Sequence, residues 1–209
     1  MAYSIKEIFL TLQGEGAQAG RRAVFVRFSG CNLWSGREVD RASAICRFCD
    51  TDFVGTDGPG GGRYETPFEL VQAILEAWGG AGARPFVVFT GGEPLLQIDP
   101  ALIQVVAAQG IETALETNGT IAVPEGIDWL TVSPKVGSEL TQKQGDELKL
   151  VWPQEVDPSD YLHLNFACWR LQPKDDKDYE VNLAATVAYC LEHPPWQLSL
   201  QQHKICGLP

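Results

Sequence analysis

The sequence is poor in basic residues and contains no long apolar run. Lysine and arginine together number 16 against 27 aspartates and glutamates, which gives a net charge of −11 at pH 7. Proteins that bind nucleic acids normally present a basic face to the phosphates, so we expect no DNA or RNA partner. No apolar stretch reaches the ~20 residues of a membrane helix, and no basic segment followed by an apolar run opens the chain. We therefore expect no membrane contact, one domain spanning residues 1–209 and a cytoplasmic location.

Histidine is scarce, with three residues, whereas there are six cysteines. Without a secretion signal, such cysteines are expected to be reduced thiols or metal ligands instead of disulfides. Cys31, Cys46 and Cys49 are clustered with the spacing C-x14-C-x2-C. Three thiolates would leave one iron of a four-iron cluster without a protein ligand, and an open metal position is where a small molecule can be activated. The spacing therefore predicts an enzyme whose cluster-binding loop spans residues 31–49.

A zinc site is the alternative interpretation of the same three cysteines. It would need one histidine as the fourth ligand. The histidines are His163, His193 and His203. The other cysteines share no spacing, and we interpret them as small buried hydrophobic residues without a ligand role. They are Cys168, Cys190 and Cys206.

Strand and helix patterns alternate along the chain. Short apolar or β-rich runs predict strands at 23–28, 86–89, 112–115, 129–132 and 148–151. Helices are predicted at 67–78, 100–109 and 179–191, and the first has a capping-box pattern at Thr66 and Glu69. Such alternation predicts a parallel sheet with crossover helices. A full eightfold barrel usually takes ~250 residues, so we expect an α/β fold that forms a reduced, partly open parallel (βα) barrel, with ligands at the carboxyl ends of its strands.

Two turns and one aromatic residue accompany the cysteines. Gly91-Gly92-Glu93-Pro94 and Ser133-Pro134-Lys135 each follow a predicted strand, and Phe48 lies between the paired cysteines. Gly91–Pro94 alone could be an ordinary strand-to-helix turn. Together these residues resemble the radical S-adenosylmethionine (SAM) superfamily. The resemblance implies a 4Fe-4S cluster whose open iron chelates the methionine moiety of SAM, with Phe48 near the adenine. It also places the methionine ammonium on the main chain of Gly91–Pro94, where glycine permits a close approach.

The first cysteine gap departs from that superfamily, whose usual spacing is C-x3-C-x2-C, because residues 32–45 fill it here. Further segments, found in the same chain order, resemble the 7-carboxy-7-deazaguanine synthase family, some members of which carry a long first gap. These segments are Phe9–Gly16, Arg27, Cys49-Asp50-Thr51, Glu116–Gly119 and Gln202-His203-Lys204.

The resemblance to that family implies a reaction, cofactors and partners. 6-Carboxy-5,6,7,8-tetrahydropterin would contract to 7-carboxy-7-deazaguanine with loss of ammonia, in queuosine and deazapurine biosynthesis. A 5′-deoxyadenosyl radical generated from SAM would take the hydrogen from C6 of the pterin. The resemblance further implies Mg²⁺, an electron donor such as flavodoxin, and a homodimer.

The same resemblance implies three groups of site residues besides the cysteines. SAM would contact Phe48, Asp50, Gly92, Glu93, Ser133, Lys135, Gln172 and Asp175. The pterin would contact Leu12, Gln13, Gly14, Glu15, Arg27, Thr90, Glu116, His203 and Pro209. Mg²⁺ would bind Thr51. No side chain is assigned a catalytic role, because the radical comes from the cofactor.

The chemistry of several of these residues suits a carboxypterin. Carboxylate and amide oxygens of Gln13, Glu15 and Glu116 can accept hydrogen bonds from its amide and amino groups. Arg27 offers a planar fork for its carboxylate. The alternatives are that Gln13 and Glu15 are solvated turn residues and that Arg27 pairs with a structural acid.

Two other assignments have structural alternatives. Thr51 is a weak neutral oxygen donor, although Mg²⁺ often takes few protein ligands and fills its octahedron with substrate oxygens and waters. A helix N-cap is the alternative role for Thr51. His203 is taken only as a substrate contact, because lone histidines are more often structural.

Two functions from other classes fit part of the pattern. A radical SAM activase of a partner protein would share the cysteines and the Gly91–Pro94 turn but would have no use for a carboxylate-rich pterin pocket. A non-enzymatic iron–sulfur or zinc module would need only the cysteines. Metal analysis and a pterin turnover assay separate the three.

Positive charge is concentrated around the cysteines. Residues 21–47 contain six arginines and two acids, a local balance of 6 − 2 = +4 in a chain of net charge −11. Solvated arginines without a role are one interpretation. The other is that Arg37 and Arg41, in the inserted loop, form a docking patch for an acidic electron donor.

Overall fold

The computed structural model describes residues 2–80 and 82–209. In that part of the chain, nine strands form one sheet. The strands are β1 Tyr3–Leu12, β2 Arg22–Phe28, β3 Gly62–Tyr64, β4 Phe86–Gly91, β5 Glu112–Thr117, β6 Trp129–Val132, β7 Gln144–Trp152, β8 Asn165–Pro173 and β9 Trp196–Leu198. The α-helices are α1 Pro67–Trp78, α2 Pro100–Ala108, α3 Tyr179–Glu192 and α4 Gln202–Cys206.

The sheet is open and mostly parallel. Its strand order is β3-β1-β2-β4-β5-β6-β7-β8-β9. Every neighbouring pair from β2 to β9 is parallel, whereas β1 is antiparallel to both β2 and β3. β3 and β9 are the two free edges, so the sheet does not close. The predicted α/β fold with a reduced, partly open parallel barrel is therefore confirmed.

Strand β4 shows why the apolar runs predicted the central strands. Phe86 to Phe89 are all buried, as expected for a strand covered on both faces. Val87 and Phe89 join the large core beneath the helices, with Leu70 and Ile74 of α1. Phe86 and Val88 point to the opposite face and form a smaller cluster with Ala23 and Ala114. The sheet thus has one apolar face against helices and a second face that is only partly apolar.

Helix α1 begins and ends as its sequence predicts. The Thr66 hydroxyl accepts a hydrogen bond from the Glu69 amide at 3.2 Å, and the Glu69 carboxylate accepts one from the Glu65 amide at 2.9 Å. The first bond satisfies an amide of the first helical turn, and the second ties the residue before the N-cap to the helix. Gly79 then ends the helix with φ +71°, a left-handed conformation that glycine adopts without strain.

Four strands and α4 were not predicted, and α2 ends one residue earlier than predicted, at Ala108. The alternation of β1 is interrupted by a register shift between Ile5 and Glu7, which hides the period of two. β3 and β9 are three residues long, too short for a pattern. The remaining missed strand is β8, at Asn165–Pro173. None of the described helices is long and apolar enough to cross a membrane.

Polar side chains on the second face of the sheet lie in neighbouring strands. Arg27 pairs in register with Thr90, and Glu116 pairs with Thr131, which in turn pairs with Glu147. Because side chains alternate along a strand, these residues point away from the helix-covered core. This face therefore provides the floor of a polar site.

Candidate active site

A cavity of about 380 Å³ lies at the carboxyl ends of the parallel strands. Its walls come from the sheet, the segment after β1, the cysteine loop and the chain end around α4. Every site residue inferred from the sequence lines this cavity except Glu93. Residues up to 197 positions apart in sequence are thus brought to one place, from Leu12 to Pro209.

Glu93 is fully buried behind the cavity wall. Its carboxylate accepts hydrogen bonds from the Thr117 hydroxyl at 2.8 Å and from the main-chain amides of Leu95 and Asn118 at 3.0 and 2.8 Å. Burial raises the pKa of Glu93, an effect that these hydrogen bonds oppose. The side chain therefore joins two turns of the site wall, and only the main chain of this turn is left to face a ligand.

Glycine is required where that turn meets the first cysteine. The Glu93 amide donates to the Gly30 carbonyl at 2.9 Å. A Cβ on Gly92 would lie 2.0 Å from the same carbonyl oxygen and 2.9 Å from the Cys31 Cβ. No larger residue fits this approach, so the glycine fixes how closely the turn and the cysteine pack.

The three clustered cysteines all line the cavity as free thiols. The Leu33 amide lies 3.4 Å from the Cys31 sulfur, and a hydrogen bond between the other two thiols lowers the pKa of Cys49 to about 6 while raising that of Cys46. Burial raises the pKa of Cys31. Soft thiolates with amide hydrogen bonds suit an iron–sulfur cluster. The three residues therefore fit a 4Fe-4S group.

The zinc alternative has less support from the geometry. His163 and His193 do not line the cavity, whereas His203 does. Among residues 2–80 and 82–209, no three histidine, cysteine or acidic side chains converge on a single point as the ligands of one metal ion do. A four-iron cluster makes a different demand, because each thiolate binds a separate iron. The remaining cysteines, Cys168, Cys190 and Cys206, do not line the cavity.

The long first gap forms a loop that closes on itself. The Leu33 carbonyl accepts hydrogen bonds from the amides of Ile45 at 3.1 Å and Cys46 at 3.3 Å. The residues between them, including a 3-10 helix at Glu38–Ser43, are looped out. Trp34 anchors the loop against Phe53, with ring centroids 5.6 Å apart. Cys31 and Cys46 therefore line one cavity despite the length of chain between them.

Thr51 also lines the cavity. Among the described residues, the first helix after Thr51 is α1, which begins at Pro67, so Thr51 is not a helix N-cap.

The Lys135 ammonium donates to the Ser133 carbonyl at 2.6 Å and to its hydroxyl at 2.8 Å. Burial lowers the pKa of Lys135. These positions place the Ser133-Pro134-Lys135 turn at the same cavity as the cysteines.

A hydrogen-bonded group of four polar side chains also lines the cavity. The Gln13 amide donates to Glu116 at 3.0 Å, and the Lys149 ammonium lies 2.6 Å from the Glu15 carboxylate and 3.6 Å from that of Glu116. Burial opposes the charge on Lys149, but Glu116, Glu15 and Glu147 outweigh it and raise the pKa of Lys149. Gln13 and Glu15 are therefore not solvated turn residues, since both lie inside a polar network.

Lys149 was missed in the sequence, although a signal was present. It lies between Leu148 and Leu150 in a buried strand and is itself only 4% exposed. A lysine in such a run needs a buried partner, which is the same reasoning that singles out Arg27. Glu147, two residues earlier, was missed as well. Its carboxylate accepts from the Ala17 amide at 2.6 Å and fixes the turn that carries Glu15.

Arg27 has both of its predicted environments. Its Nε donates to the Glu7 carboxylate at 2.7 Å, so it does pair with an acid. Its side chain nevertheless lines the cavity, beside Thr90 on the neighbouring strand. The Thr90 hydroxyl lies 3.5 Å from the Glu116 carboxylate. A cation and a carboxylate are thus present on the same wall.

The chain end covers the cavity. The Gln202 amide donates to the Gly14 carbonyl at 2.9 Å, and the Thr11 hydroxyl donates to the Pro209 carbonyl at 3.3 Å. His203 packs so closely that a Cβ on Gly14 would lie 2.2 Å from its Nδ1. His203 and Pro209 thus both lie in the cavity wall, and their contact with substrate stays a prediction.

Lys204 ties this segment to both sides of the cavity. Its ammonium lies 2.6 Å from Asp50, which follows the last clustered cysteine, and 2.5 Å from Asp175 after β8. Burial raises the pKa of Asp50, but Lys204, Gln201 and a main-chain hydrogen bond together lower it by more. Gln172, another of the expected SAM contacts, accepts a hydrogen bond from the Ser199 hydroxyl at 2.9 Å.

The arginines of the inserted loop are paired within that loop. Arg37 lies 2.7 Å from Asp40, and Arg41 lies 2.6 Å from Glu38. The side chain of Arg37 is 69% exposed, whereas that of Arg41 is 28% exposed. Each of these two arginines is therefore paired with an acid of the same loop, and of the two only Arg37 remains well placed for an outside partner.

Comparison with known proteins identifies the relatives of this chain. Residues 40–145 match the family described as the radical SAM superfamily. The chain is 58% identical over the full length of both proteins to 7-carboxy-7-deazaguanine synthase of Bordetella pertussis, 56% identical to that of Bradyrhizobium diazoefficiens and 51% identical to that of Burkholderia multivorans. The crystal structure of QueE from Escherichia coli has a similar fold, with a TM-score of 0.69 and 24% identity over 97% of this chain and 95% of that one.

Proposed function

The chain belongs to the 7-carboxy-7-deazaguanine synthase family of radical SAM enzymes, and from that premise we propose how its cavity holds the reactants. The activity is a radical-mediated ring contraction of 6-carboxy-5,6,7,8-tetrahydropterin to 7-carboxy-7-deazaguanine, with release of ammonia, in queuosine biosynthesis. When bound, the cluster and SAM would supply the 5′-deoxyadenosyl radical that takes the hydrogen from C6. The protein's own residues orient the pterin and exclude water.

The cluster and SAM would occupy the side of the cavity that carries the cysteines. Cys31, Cys46 and Cys49 would hold the cluster, and the main chain of the Gly91–Pro94 turn would receive the methionine ammonium. Glu93 supports this proposal through its buried hydrogen bonds, which fix that turn. Other contacts to SAM would come from Phe48, Asp50, Gly92, Ser133, Lys135, Gln172 and Asp175, all of which line the cavity.

The pterin would occupy the side that carries the polar network. Gln13, Glu15 and Glu116 offer acceptors to its amide and amino groups, and Arg27 offers a fork to its carboxylate. Lys149 helps to lower the pKa of Glu15 and fixes the direction of both carboxylates. Leu12, Gly14, Thr90, His203 and Pro209 complete the enclosure. The single observation that carries this proposal is the Gln13–Glu116–Lys149–Glu15 network in the same cavity as the three thiols.

We further propose Mg²⁺ at Thr51. Thr51 lines the cavity two residues after the last clustered cysteine. A single neutral oxygen suffices when the substrate carboxylate and waters fill the other positions of the octahedron. The ion would then orient the pterin without touching the polar network.

The partners are proposed from the family and from the exposed surface. The reductant would be an acidic electron carrier such as flavodoxin, which the exposed Arg37 would meet, and the working form would be a homodimer. We place the reaction in the cytoplasm, where thiols stay reduced and available to iron.

The test is a product assay. The protein is reconstituted with iron and sulfide and incubated without oxygen with dithionite, SAM and the carboxypterin, and the products are identified by mass spectrometry. We expect 7-carboxy-7-deazaguanine and 5′-deoxyadenosine. Cleavage of SAM without deazaguanine would contradict the proposed substrate, and a colourless protein that contains zinc would contradict the cluster.

A further inference from the structure

Arg41 links the inserted loop to the segment that carries two of the clustered cysteines. Its Nη1 donates to the main-chain carbonyls of Arg47 and Cys49, both at 3.0 Å. Its Nε and Nη2 pair with the two carboxylate oxygens of Glu38, at 2.8 and 2.6 Å. The guanidinium also lies 4.0 Å from the centroid of a Trp34 ring. The Arg41 guanidinium therefore uses all three of its nitrogens and one planar face to hold this region together.

The carbonyl of Arg47 belongs to a peptide group whose other end faces a thiol. The Phe48 amide, in the same peptide plane, lies near the Cys46 sulfur. Because the C=O and N–H of a trans peptide point in opposite directions, fixing the carbonyl on Arg41 aims the amide at the sulfur. Hydrogen bonds to cysteine sulfur are one of the means by which proteins set the potential of an iron–sulfur cluster.

The charge of the guanidinium acts in the same direction. Arg41 attracts the thiolates of Cys46 and Cys49 electrostatically. A nearby positive charge favours the more negative state of a cluster, which is the reduced one, and therefore raises the reduction potential. Geometry and charge thus both connect this arginine to the properties of the cluster.

Arg37 provides a contrast within the same loop. It pairs with Asp40 at 2.7 Å, and its side chain is largely exposed. Its side chain donates to Asp40 and its amide donates to Ser35, so neither bond reaches the segment 46–49. Its carbonyl accepts from the Trp34 indole at 3.2 Å, a bond that a change of its side chain leaves in place.

We propose that Arg41 is a positioning residue for the iron–sulfur cluster, which fixes the segment 46–49 from the inserted loop, aims the Phe48 amide at Cys46 and raises the reduction potential. This inference rests on the proposed ligation of the cluster by Cys31, Cys46 and Cys49. The insertion is then a working part of the cluster site and not a spacer.

The test compares Arg41→Gln, Arg41→Lys and Arg37→Gln with the unaltered protein after anaerobic reconstitution. The readouts are iron and sulfide per chain, the rate at which a chelator bleaches the visible absorption, and the midpoint potential from a redox titration followed by electron paramagnetic resonance. Because Arg41→Gln removes charge-assisted hydrogen bonds to the ligand segment, we expect this variant to lose its cluster at least about tenfold faster.

The potential and the second substitution separate the two effects. We expect Arg41→Gln to shift the midpoint potential to a more negative value. Arg41→Lys keeps the charge but loses the fork, so it should keep a potential closer to that of the unaltered protein while losing iron faster. Arg37→Gln should match the unaltered protein in all three readouts.

Two outcomes would overturn the inference. One is that Arg41→Gln bleaches at the normal rate with a normal potential. The other is that Arg37→Gln changes as much as Arg41→Gln, which would show a general effect of charge. If the iron-free Arg41→Gln protein melts at a lower temperature, the faster bleaching could come from a general loss of stability. The second variant is then Glu38→Gln, which keeps Arg41 but removes the carboxylate that holds its guanidinium in place, and this variant must still bleach faster. An unaltered protein that binds no iron would instead refute the proposed cluster.

Discussion

The ammonium of Lys149 lies 2.6 Å from the carboxylate of Glu15, although the two residues are 134 positions apart in the sequence. Lys149 comes from a central parallel strand and Glu15 from the turn after the antiparallel first strand. Their side chains are 6% and 16% exposed, so the pair is largely removed from water. This contact joins the carboxylates of the proposed pterin site to the rigid part of the sheet.

Removing Lys149 should damage both stability and substrate recognition. In Lys149→Met, the carboxylates of Glu15 and Glu116 lose their cation inside the protein, and breaking a buried pair costs about 3–5 kcal/mol. We expect a lower melting temperature and a raised KM for the pterin, with uncoupled SAM cleavage less affected. Thermal unfolding and steady-state kinetics measure these effects. The control is Lys143→Met, at an exposed position, and equal losses in both variants would contradict this role for Lys149.

The stability that Glu15 contributes should depend on pH in a defined direction. Burial raises the pKa of Glu15, but Lys149, His203 and Gln201 together lower it more, so the folded-state value lies below the ordinary 4.5. A carboxylate with a lowered folded-state pKa contributes stability above its unfolded pKa and loses it as the pH falls through the folded value. The difference in unfolding free energy between the unaltered protein and Glu15→Gln should therefore be constant at neutral pH and shrink below about pH 4.5.

Urea unfolding at several pH values measures this difference. Lys149 causes no further change in this difference near neutral pH. Its pKa is raised, so its contribution to stability is lost only in strong alkali. A difference that grows on acidification would contradict the ionised Glu15–Lys149 pair.

The cysteines should divide into two groups of three. Single substitutions Cys31→Ala, Cys46→Ala and Cys49→Ala remove a thiolate from a site without a spare ligand, so we expect loss of the cluster absorption and of all SAM cleavage. Cys168→Ala, Cys190→Ala and Cys206→Ala serve as matched controls, because these thiols lie outside the cavity. Iron analysis of all six variants decides the assignment, and iron loss in a control would refute it.

Magnesium should affect the pterin chemistry more than the cofactor chemistry. If Mg²⁺ bridges Thr51 and the substrate, its removal and Thr51→Ala should both slow deazaguanine formation more than SAM cleavage, because the ion orients only the pterin. The ratio of deazaguanine to 5′-deoxyadenosine measures this bias. Thr56→Ala, in the same irregular segment but exposed, is the control. An unchanged ratio would leave Thr51 without a role in metal binding.

The exposed arginine of the inserted loop should influence the electron donor. Arg37→Glu places a negative charge where an acidic carrier would dock, so we expect slower flavodoxin-driven turnover that depends on salt concentration. Turnover driven by dithionite should be spared, because that reductant needs no docking surface. Arg63→Glu, an exposed arginine on the edge strand β3, is the control. An equal loss with both reductants would exclude docking at Arg37.

Local sequence was sufficient for some parts of the fold and not for others. The capping box at Thr66 and the buried run at Phe86–Phe89 each act within a few residues, and both were predicted correctly. The first strand was missed because its bulge between Ile5 and Glu7 removes the alternation. The pairing of Arg27 with Glu7 follows from that strand, since the two residues are in register across β1 and β2. The Arg27–Glu7 pair could not be predicted without knowledge of the first strand.

The same division holds within the site. Motifs carried by the chain in order, such as Gly91–Pro94, identified the residues around the cavity. The partner of a charged side chain depends on which strands become neighbours, and for this reason Lys149 and the contacts of Lys204 with Asp50 and Asp175 were missed. In each case an isolated charge in the sequence was visible, but its counter-charge lies far away along the chain.

The carbonyl of Leu33 accepts hydrogen bonds from the amides of both Ile45 and Cys46 and so closes the base of the loop. The separation of the cysteines in space is therefore independent of the number of residues between them in the sequence. Spacing counted along the chain sets where ligands can lie only when the intervening residues run directly between them. Here the base of the loop is fixed, and doubling the length of a flexible loop costs only about 0.6 kcal/mol. Related chains could therefore lengthen or shorten this segment without moving their cysteines, provided that an arginine still reaches the carbonyls of the ligand segment. A search that requires a fixed first spacing would overlook such enzymes.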